Sequence, residues 1–342
     1  MTNVEPLNSF EKIGDAAKRV VDNIDPAKPA GPGIYFGMDE IEYHSHPALG
    51  STDIRRVLRS APDYWWNSWM NPHRPPINEN KPTPARLFGK AFHKLVLEGK
   101  EAFDAEYVRR PDDAANATPT QKAATTKAAN AAAAQVGKQS LHGEDYDRII
   151  VAAEMIARNP NLAGAFDGGA SEVSVIWDHP TIKDLQLKVR FDKLKPRGIG
   201  DLKSIANERG REFNQACRMA ISDHRYDIQA KHYLNGRAVL PDLVRKGLVY
   251  GEHDAEWLVR VAATADYGFQ WVFFQSGDSP ISKGITFSPD NPIAEIAQDH
   301  IDHALTIWDQ FYQQFGTEMW LLTDPVEELS IDEMPAWFAR AA

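Results

Sequence analysis

Three short strand-like stretches follow one another in the middle of the chain. They are SEVSVIWDH at 171–179, LQLKVRFDKL at 185–194 and GIGDLKSIA at 198–206. In the second stretch apolar and charged residues alternate, which places one face of a β-strand in a core and leaves the other face polar. Because only a tight turn separates the second stretch from the third, the pattern predicts three strands, the last two joined as a hairpin.

Longer stretches with apolar residues at helical spacing lie on both sides of these strands. We expect helices over 85–107, 212–238 and 292–315, and two further strands over 269–276 and 281–289. The order is therefore helix, three strands, helix, two strands, helix. This order predicts an α/β protein of the α+β type, with a small central mixed sheet flanked by helices and a helical elaboration on its N-terminal side.

The rest of the chain divides into a lead-in and one large domain. Residues 1–35 are polar and end in a Pro/Gly cluster, which indicates a flexible lead-in. A chain of 342 residues could form one elaborated domain or two, and we predict a single domain over 36–342. Its helical part spans 50–165 and its core 170–320. The Ala- and Thr-rich stretch near 115–140 is of low complexity and predicts a mobile arm or an exposed helix.

The composition excludes several kinds of site and location. No run of 18 apolar residues occurs, and the polar start lacks the order of a secretory signal, so we expect a cytoplasmic protein without membrane contact. Cys217 is the only cysteine, which excludes an iron–sulfur cluster and a zinc site of several thiolates. Neither GPG nor GIG fits a phosphate-binding loop, so no nucleotide cofactor is expected. Any metal must be held by oxygen or imidazole ligands.

Charge is distributed unevenly along the chain. The net charge of −10 argues mildly against a protein that coats nucleic acid. Between residues 181 and 211, however, nine Lys or Arg stand against four acids, a local net charge of +5. The last twenty residues, in contrast, carry five acids and one arginine. The basic stripe at 181–211 suits a local phosphate site, although solvated lysines on a hairpin would give the same count.

The hairpin between the second and third strands would bring two aspartates together. If Pro196–Arg197 forms a two-residue loop, Asp192 falls directly across from Asp201, with Cβ atoms about 5 Å apart. Lys203 projects from the same face as Asp201. Opposed like charges destabilise a sheet unless a cation neutralises them. A bulge at Gly198 could shift this register by one residue, since Pro-Arg is not a favoured two-residue loop.

Such a group of side chains is suited to phosphate chemistry. Two carboxylates on adjacent strands can hold Mg²⁺ or Mn²⁺, and a neighbouring lysine can orient and polarise an attacking water. The cation would stabilise the charge that develops on phosphate oxygens during an in-line displacement. An exposed hairpin with a surface salt bridge would show the same D-x-K pattern, so the surrounding residues have to decide.

The stretches around the hairpin resemble the motifs of a known protein family. The stretches GKAFHKLVLE, RFDKL, DLKS and QAKHY occur in the order and context of the RecB-like branch of the PD-(D/E)xK nucleases. More closely, YHSHPALGSTDIRRVLRSAPDYW and the stretches from EVSVIWDH to HRYDIQAKHYLNG resemble the RecE-type (exonuclease VIII-like) exonucleases of phages and prophages. The resemblance spans roughly residues 40–338. Its motif residues are Gly89, His93, Asp192, Asp201, Lys203, Gln229 and Tyr233.

The resemblance implies a role for each matching residue. It implies a metal held by His93, Asp192 and Asp201, with the Leu202 backbone carbonyl assisting, and Lys203 as the catalytic lysine. The following residues are expected to complete the catalytic set, to support the site or to contact DNA: Gln229 and Tyr233, which stand at i and i+4 on one helix face, Glu172, Arg190, Tyr226 and Gly89.

The resemblance also implies a function, a fold and partners. The fold would be the PD-(D/E)xK restriction-endonuclease-like core, so that the domain over 36–342 would be a nuclease domain. The activity would be a Mg²⁺-dependent DNA exonuclease, with Mn²⁺ able to substitute, which digests the 5′-terminated strand from double-stranded ends. A ring-like homo-oligomer, a single-strand annealing protein as partner and a role in phage-type recombination in a bacterial cytoplasm are further implications.

Alternatives remain open at this point. The same site could serve an endonuclease or a single-strand-specific nuclease, because substrate choice depends on loops that the sequence does not resolve. The chain could also be a DNA-end-binding or assembly module whose nuclease site has decayed. Retention of both aspartates and Lys203 argues against decay.

Overall fold

The computed structural model describes most of the chain. The described residues are 30–74, 83–207, 209–277, 279–335 and 337–338. Most of the predicted lead-in at 1–35 lies outside these ranges. Gly33–Tyr35, which we expected within the lead-in, form a strand of the main sheet, and the Tyr35 ring stacks on Tyr250 at 4.6 Å.

The helices of the described ranges are α1 (Glu40–Ser45), α2 (Ser51–Arg59), α3 (Ala61–Asn67), α4 (Pro84–Glu98), α5 (Lys100–Glu106), α6 (Pro119–Gln135), α7 (Gly143–Arg158), α8 (Ala163–Phe166), α9 (Phe213–Asp223), α10 (Tyr226–Ala238), α11 (Leu240–Arg245), α12 (Ala255–Ala263) and α13 (Pro292–Phe315). The strands there are β1 (Gly33–Tyr35), β2 (Tyr107–Arg109), β3 (Gln139–Leu141), β4 (Ala170–Asp178), β5 (Gln186–Lys195), β6 (Gly198–Ile205), β7 (Val249–Tyr250), β8 (Gly268–Gln275) and β9 (Ser282–Phe287).

A mixed sheet forms the centre of the molecule. In the described part of the chain it has seven strands in the order β7-β1-β4-β5-β6-β8-β9, and β2 and β3 form a separate pair. Within this sheet the β7–β1 and β6–β8 pairs are parallel and the other pairs antiparallel, and the separate β2–β3 pair is parallel. Helices flank this sheet, so the predicted α+β class is confirmed. The succession of α4, β4, β5, β6, α10 and β8 agrees with what the resemblance implies for a nuclease core.

The predicted hairpin has the predicted register. β5 ends at Lys195 and β6 begins at Gly198, which leaves Pro196–Arg197 as the loop. Lys195 pairs with Gly198 and Lys193 with Gly200, so no bulge shifts the strands. The alternative register is therefore excluded, and Asp192 and Asp201 are the next residues along the two strands.

Two of the predicted long helices are each divided by a residue in the left-handed region. Residues 85–107 form α4 and α5, separated by Gly99, whose φ is +92°. Residues 212–238 form α9 and α10, separated at Arg225, whose φ is +51°. Apolar spacing continues across both breaks, which is why the sequence pattern alone predicted unbroken helices.

Two hydrophobic clusters cover the two faces of the sheet. Alternation along β8 distributes its side chains, with Phe273 in the larger cluster and Val272 in the smaller one. The larger cluster packs α10, through Ile228, against the sheet, and the smaller one packs α4, through Phe92. Each such side chain stabilises the fold by about 1.5–3 kcal/mol on burial. These clusters hold α4 and α10 on opposite sides of β6, and both helices supply residues to the candidate site.

The low-complexity stretch forms α6, which is exposed along its length. Thr118 and Gln121 form a capping box at its N-terminus, and Ala133 is its buried residue. Alanine content favours the helix, while the lack of an apolar stripe leaves it outside the core. Of the two forms that the sequence allowed, the structure has the exposed helix. In the described ranges, no helix combines the length and apolarity that crossing a membrane requires.

Candidate metal-dependent active site

Asp192 lies where the β5–β6 ladder ends. The ladder pairs run from Lys195–Gly198 to Lys193–Gly200. At the next position Asp192 Oδ2 accepts a hydrogen bond of 2.9 Å from the Leu202 backbone N–H. A side-chain carboxylate thus occupies the place of a backbone partner, and the two strands diverge around it. The fork between β5 and β6 is therefore the local structure on which the site is built.

Glu172 lies level with Asp192 on the other neighbouring strand. Ser171 pairs with Lys193 and Val173 with Phe191, so the register sets Glu172 beside Asp192. Its backbone has a φ of 53°, in the left-handed region that non-glycine residues rarely adopt. Backbone strain of this kind is concentrated at functional sites. Acidic side chains consequently stand on β4, β5 and β6 in one transverse row.

His93 of α4 completes a cluster of three potential metal ligands, which we call the open cluster. One ligand atom each of His93, Glu172 and Asp192 lies within 4.8 Å of the other two. His93 Nδ1 is 3.7 Å from Asp192 Oδ2. The side chains of His93 and Glu172 are 34% and 39% exposed, so the cluster faces solvent. An imidazole with two carboxylates is a ligand set that Mg²⁺ and Mn²⁺ accept.

Asp201 lies on the inner side of the fork and is fully buried. Its Oδ2 is 2.5 Å from Lys203 Nζ, an ion pair, and its Oδ1 accepts a hydrogen bond of 3.1 Å from Gln229 Nε2 of α10. The ammonium approaches Oδ2 outside hydrogen-bond geometry, so this buried oxygen keeps unused accepting capacity. We call Asp201, Lys203 and Gln229 the closed group.

Burial shifts the pKa values of all three carboxyl groups upward. Desolvation, followed by repulsion from Asp192, raises the pKa of Glu172 to about 8. Desolvation raises the pKa of Asp201 to about 6 even though Lys203 opposes the shift. It raises the pKa of Asp192 as well, against the opposing effects of Lys203 and the Leu202 N–H. Because desolvation is the largest cause in each case, the buried site favours protonated carboxyl groups when no cation is bound.

The two basic residues of the site respond in opposite directions. Burial, reinforced by the Lys203 charge, lowers the pKa of His93 to about 4, so its imidazole is neutral at pH 7 and able to bind a metal. Burial alone would lower the pKa of Lys203, but attraction to Asp201 and Asp192 outweighs it and the pKa is raised. Lys203 is consequently an ammonium at neutral pH.

The residues present fit a divalent cation. The open cluster supplies two carboxyl groups and a neutral imidazole, and burial makes ionisation of those carboxyl groups costly unless a cation lies beside them. The buried Asp201 Oδ2, which has an unused lone pair, is a further oxygen next to the fork. Hard cations prefer oxygen ligands with few imidazoles.

Tyr226 and Tyr233 of α10 occupy different environments. The Lys203 ammonium lies 5.2 Å from the centre of the Tyr226 ring, a cation–π contact that places Tyr226 within the site. The Tyr233 ring packs edge-on against Phe191 at 5.7 Å and is 8% exposed. The structure therefore brings Tyr226 to the closed group, while Tyr233 has its ring in the hydrophobic core and its hydroxyl in a side-chain hydrogen bond with Gln229 of that group.

Arg190 and Gly89 border the open cluster. The Arg190 Nε donates to Ser174 at 2.9 Å and lies 3.8 Å from Glu172, and its side chain is 11% exposed. This arginine supports Glu172 rather than projecting from the surface. Gly89 stands one turn before His93 in α4, where a Cβ atom would meet nothing within 4 Å. Its missing side chain leaves free space beside the histidine.

The ligand set differs in one member from the set that the resemblance implied. Glu172, which we expected as a supporting residue, is in the open cluster, whereas Asp201 is held by Lys203 and Gln229. The sequence did contain a signal for Glu172, because this glutamate stands at the start of the predicted strand that precedes the strand of Asp192. Its significance depends on the β4–β5 register, which the sequence does not give. The Leu202 N–H donates to Asp192 Oδ2. A hydrogen bond with the Leu202 backbone acts on the His93 pKa in the opposite direction to burial and offsets part of the lowering.

Comparisons with known proteins add little to this site. No protein-family profile matches the sequence, and no curated protein matches it. A solved structure from Eubacterium rectale, named "putative exonuclease", is similar over 80% of this chain and 85% of its own, with 12% sequence identity and a TM-score of 0.45. A likeness at this level carries no argument about the chemistry, which has to come from the residues themselves.

Proposed function

We propose that this protein is a metal-dependent DNA exonuclease of the RecE type, which hydrolyses phosphodiester bonds from double-stranded ends. The observation that carries the proposal is the position of the open cluster beside the closed group, on β4, β5 and β6 and the helices that cover them. A neutral imidazole, three carboxyl groups and an ammonium in one fork can together bind a divalent cation, orient a water and stabilise charge on phosphate oxygens.

The open cluster would bind the cation. Held by His93, Glu172 and Asp192, Mg²⁺ would stabilise negative charge on the phosphate oxygens. Asp192 has a second task, because its Oδ2 also fixes the Leu202 N–H. The exposed side of the cluster leaves a path for the phosphate, and Gly89 keeps a side chain out of that path.

Lys203 would act as a cation and not as a base. Its raised pKa keeps it protonated at neutral pH, so it has no lone pair with which to accept a proton. An ammonium can donate hydrogen bonds both to an attacking water and to a phosphate oxygen. Asp201 holds this ammonium, and Gln229 in turn fixes Asp201. These two are positioning residues.

The finer features of the proposal rest on the motif resemblance. They are digestion of the 5′-terminated strand, Mg²⁺ as the metal with Mn²⁺ able to substitute, a ring-like homo-oligomer, and a single-strand annealing protein as partner in phage-type recombination. Of the basic stripe at 181–211, Lys203 lies in the fork, whereas Lys188 and Lys193 are buried and donate to backbone carbonyls, so the stripe as a whole does not form an exposed phosphate-binding surface.

Digestion of linear and covalently closed circular duplex DNA tests the proposal. The two substrates are incubated with Mg²⁺ or with EDTA, with each strand labelled separately at its 5′ end. We expect Mg²⁺-dependent loss of the linear DNA alone, with label released from the 5′ termini. Cutting of the closed circle would show an endonuclease instead, and preference for denatured DNA a single-strand-specific enzyme.

A pair of matched variants separates an active site from a decayed one. Asp192→Asn should abolish cleavage and leave binding to DNA ends intact. The control is Asp178→Asn, at the exposed far end of β4, where the carboxylate bonds only a neighbouring glutamine among the described residues. If the unsubstituted protein binds ends without cleaving either substrate, the chain is an end-binding module.

A further inference from the structure

A lysine and a glutamate bridge two helices beside the open cluster. Lys90 of α4 and Glu40 of α1 form an ion pair, with 2.8 Å between Nζ and Oε2. Lys90 stands three residues before His93, and residues at that spacing share one helix face, with Cβ atoms about 5–6 Å apart. Desolvation is the main cause of the raised pKa of Glu172, and the charge of Glu40 adds to it. The pair therefore lies at the rim of the open cluster, where it links α1 to α4.

Two cationic residues of β5 fix α1 in its place. Lys188 Nζ donates a hydrogen bond of 2.8 Å to the carbonyl oxygen of Tyr43, within the helix. The Arg190 guanidinium donates to the carbonyl oxygen of Met38, just before the helix begins. Because the backbone of α1 is held on the sheet, a change of partner at Lys90 requires rotation of side chains alone.

The Glu40–Lys90 pair is open to such a change. The side chains of Lys90 and Glu40 are 28% and 42% exposed, and ion pairs at exposed positions contribute little to stability. His44 Nε2 lies 3.7 Å from the second carboxylate oxygen of Glu40, Oε1. Interaction with His44, ahead of that with Lys90, lowers the pKa of Glu40 to about 2. Glu40 therefore keeps a partner when the ammonium leaves.

We propose that Lys90 is a substrate-binding residue, whose ammonium leaves Glu40 and binds a phosphate of the cleaved strand next to the phosphate that the cation holds. Glu40 is then an internal competitor, which occupies the ammonium until DNA displaces it. An ammonium suits this exchange, because its compact charge and three N–H donors bind carboxylate and phosphate oxygens alike. The inference rests on the proposed function and adds one contact between the same site and its substrate.

Lys94, one turn further along α4, differs from Lys90 in its surroundings. Its side chain is 27% exposed, but Glu98 and Glu106 lie 3.0 and 3.3 Å from its ammonium. Burial alone would lower the pKa of Lys94, but these two acids outweigh it and the pKa is raised. Lys94 is the immediate neighbour of His93, and adjacent residues do not share a helix face. It is therefore a matched control, with the same residue type, helix and exposure but a different face.

The salt dependence of DNA binding tests the contact. Chains that carry Asp192→Asn, so that the DNA stays intact, are titrated with a short linear duplex at several salt concentrations and followed by fluorescence anisotropy. Lys90→Gln should weaken binding about tenfold. It should also reduce the slope of log Kd against log salt by about one, because one phosphate contact fewer releases fewer counterions. Lys94→Gln should change neither quantity. An unaltered slope for Lys90→Gln, or the same change for Lys94→Gln, would overturn the proposal.

A double-mutant cycle tests the exchange of partners. Glu40→Gln should tighten binding several-fold where Lys90 is present and have no effect alongside Lys90→Gln, because the glutamate acts by occupying the ammonium. If Glu40→Gln tightens binding equally in both backgrounds, Glu40 acts by general repulsion of DNA and the exchange is refuted.

Cleavage by chains with Asp192 intact separates binding from chemistry. Lys90→Gln should raise KM about tenfold and leave kcat within about twofold, since it removes a contact that is made before and during the reaction. Lys90→Arg, which keeps the charge, should restore most of the KM. A fall in kcat at unchanged KM would overturn the proposal. If the unsubstituted protein binds DNA without cleaving it, the proposed function fails, while the salt slopes still decide on Lys90.

Discussion

The open cluster and the closed group each contain one aspartate of the fork, and the charge of that aspartate is balanced differently in the two. Asp201 is fully buried and is given a cation by the chain itself, the Lys203 ammonium at 2.5 Å. Asp192 is 14% exposed, and its neighbours are a second carboxylate and a neutral imidazole. Asp201 is therefore paired directly with a cation of the protein itself, whereas Asp192 and Glu172 are only partly compensated by the charges of Lys203 and Arg190. On the proposed function, this difference in access would make Asp192 a metal ligand and Asp201 a positioning residue.

The largest loss of cleavage should come from substitution of Asp192, which links the open cluster to the Leu202 backbone of β6. Asp192→Ala removes a metal ligand and the acceptor of the Leu202 N–H together. We expect cleavage to fall by at least about 10³, since loss of a single stabilising group at an active site already costs about 10²–10³. Initial rates on linear duplex DNA measure this, and calorimetry with Mg²⁺ should find no binding. Unchanged DNA processing would contradict the metal mechanism.

Removal of the Lys203 charge should act most strongly on the closed group, in which Lys203 pairs with the buried Asp201. Lys203→Met leaves Asp201 as a buried carboxylate without its partner, which costs roughly 3–5 kcal/mol in comparable pairs. We expect rates about 10²–10³ lower, with Mg²⁺ affinity nearly unchanged. Adding Asp201→Asn should restore stability in urea unfolding but not cleavage. If the double variant regains cleavage, the lysine serves only to neutralise its partner.

Glu172→Gln tests the charge balance of the open cluster. The folded-state pKa of Glu172 is raised from the ordinary 4.5 to about 8, so the folded metal-free protein holds this proton more tightly than the unfolded chain. Its stabilising contribution is present below pH 4.5 and is lost as the pH rises towards 8. In EDTA we therefore expect the variant to be the more stable protein at pH 8 and the two to converge at low pH.

In Mg²⁺ the unsubstituted protein should be the more stable of the two, because the Glu172→Gln variant loses a metal ligand and, with it, about tenfold or more in metal affinity. Thermal unfolding at several pH values, with EDTA and with Mg²⁺, measures both effects. If the variant gains no stability at pH 8 in EDTA, the ionised Glu172 carboxylate does not destabilise the folded metal-free protein.

Of these substitutions, Gly89→Ala should change stability and cleavage least. Alanine in a helix interior is favoured over glycine by about 0.5–1 kcal/mol, and a Cβ atom here meets nothing. We expect a small rise in melting temperature together with a fall of several-fold in cleavage, because the methyl group enters the space beside His93. A stabilised variant with full activity would show that the free space has no part in substrate access.

The sequence predicted the fold more fully than it predicted the site. Of the two β5–β6 registers that the sequence left open, the structure has the one set by a two-residue loop at Pro196–Arg197, without a bulge at Gly198. The helix breaks at Gly99 and Arg225 were missed, because a single left-handed residue does not interrupt the apolar spacing. Local patterns therefore limited the strand pairing to two registers but did not show where the helices are interrupted.

At the site, the sequence predicted which residues of β5 and β6 take part, but not which role each of them has. On the proposed function, the aspartate that would bind the metal is the one reached by His93 from α4, and the other aspartate is reached by Gln229 from α10. Those helices lie on opposite faces of the sheet and are far from the hairpin in sequence. Only the packed structure brings them to β6, so the roles of Glu172 and Asp201 could not be read from spacing.

The bond from the Leu202 N–H to Asp192 has a practical consequence. An amide proton held by a carboxylate, in place of a backbone carbonyl, exchanges with solvent at a rate that depends on what else that carboxylate binds. Its chemical shift will respond in the same way. The Leu202 amide is therefore a built-in reporter, through which nuclear magnetic resonance can follow the filling of the fork in solution, without substrate and without any label at the site.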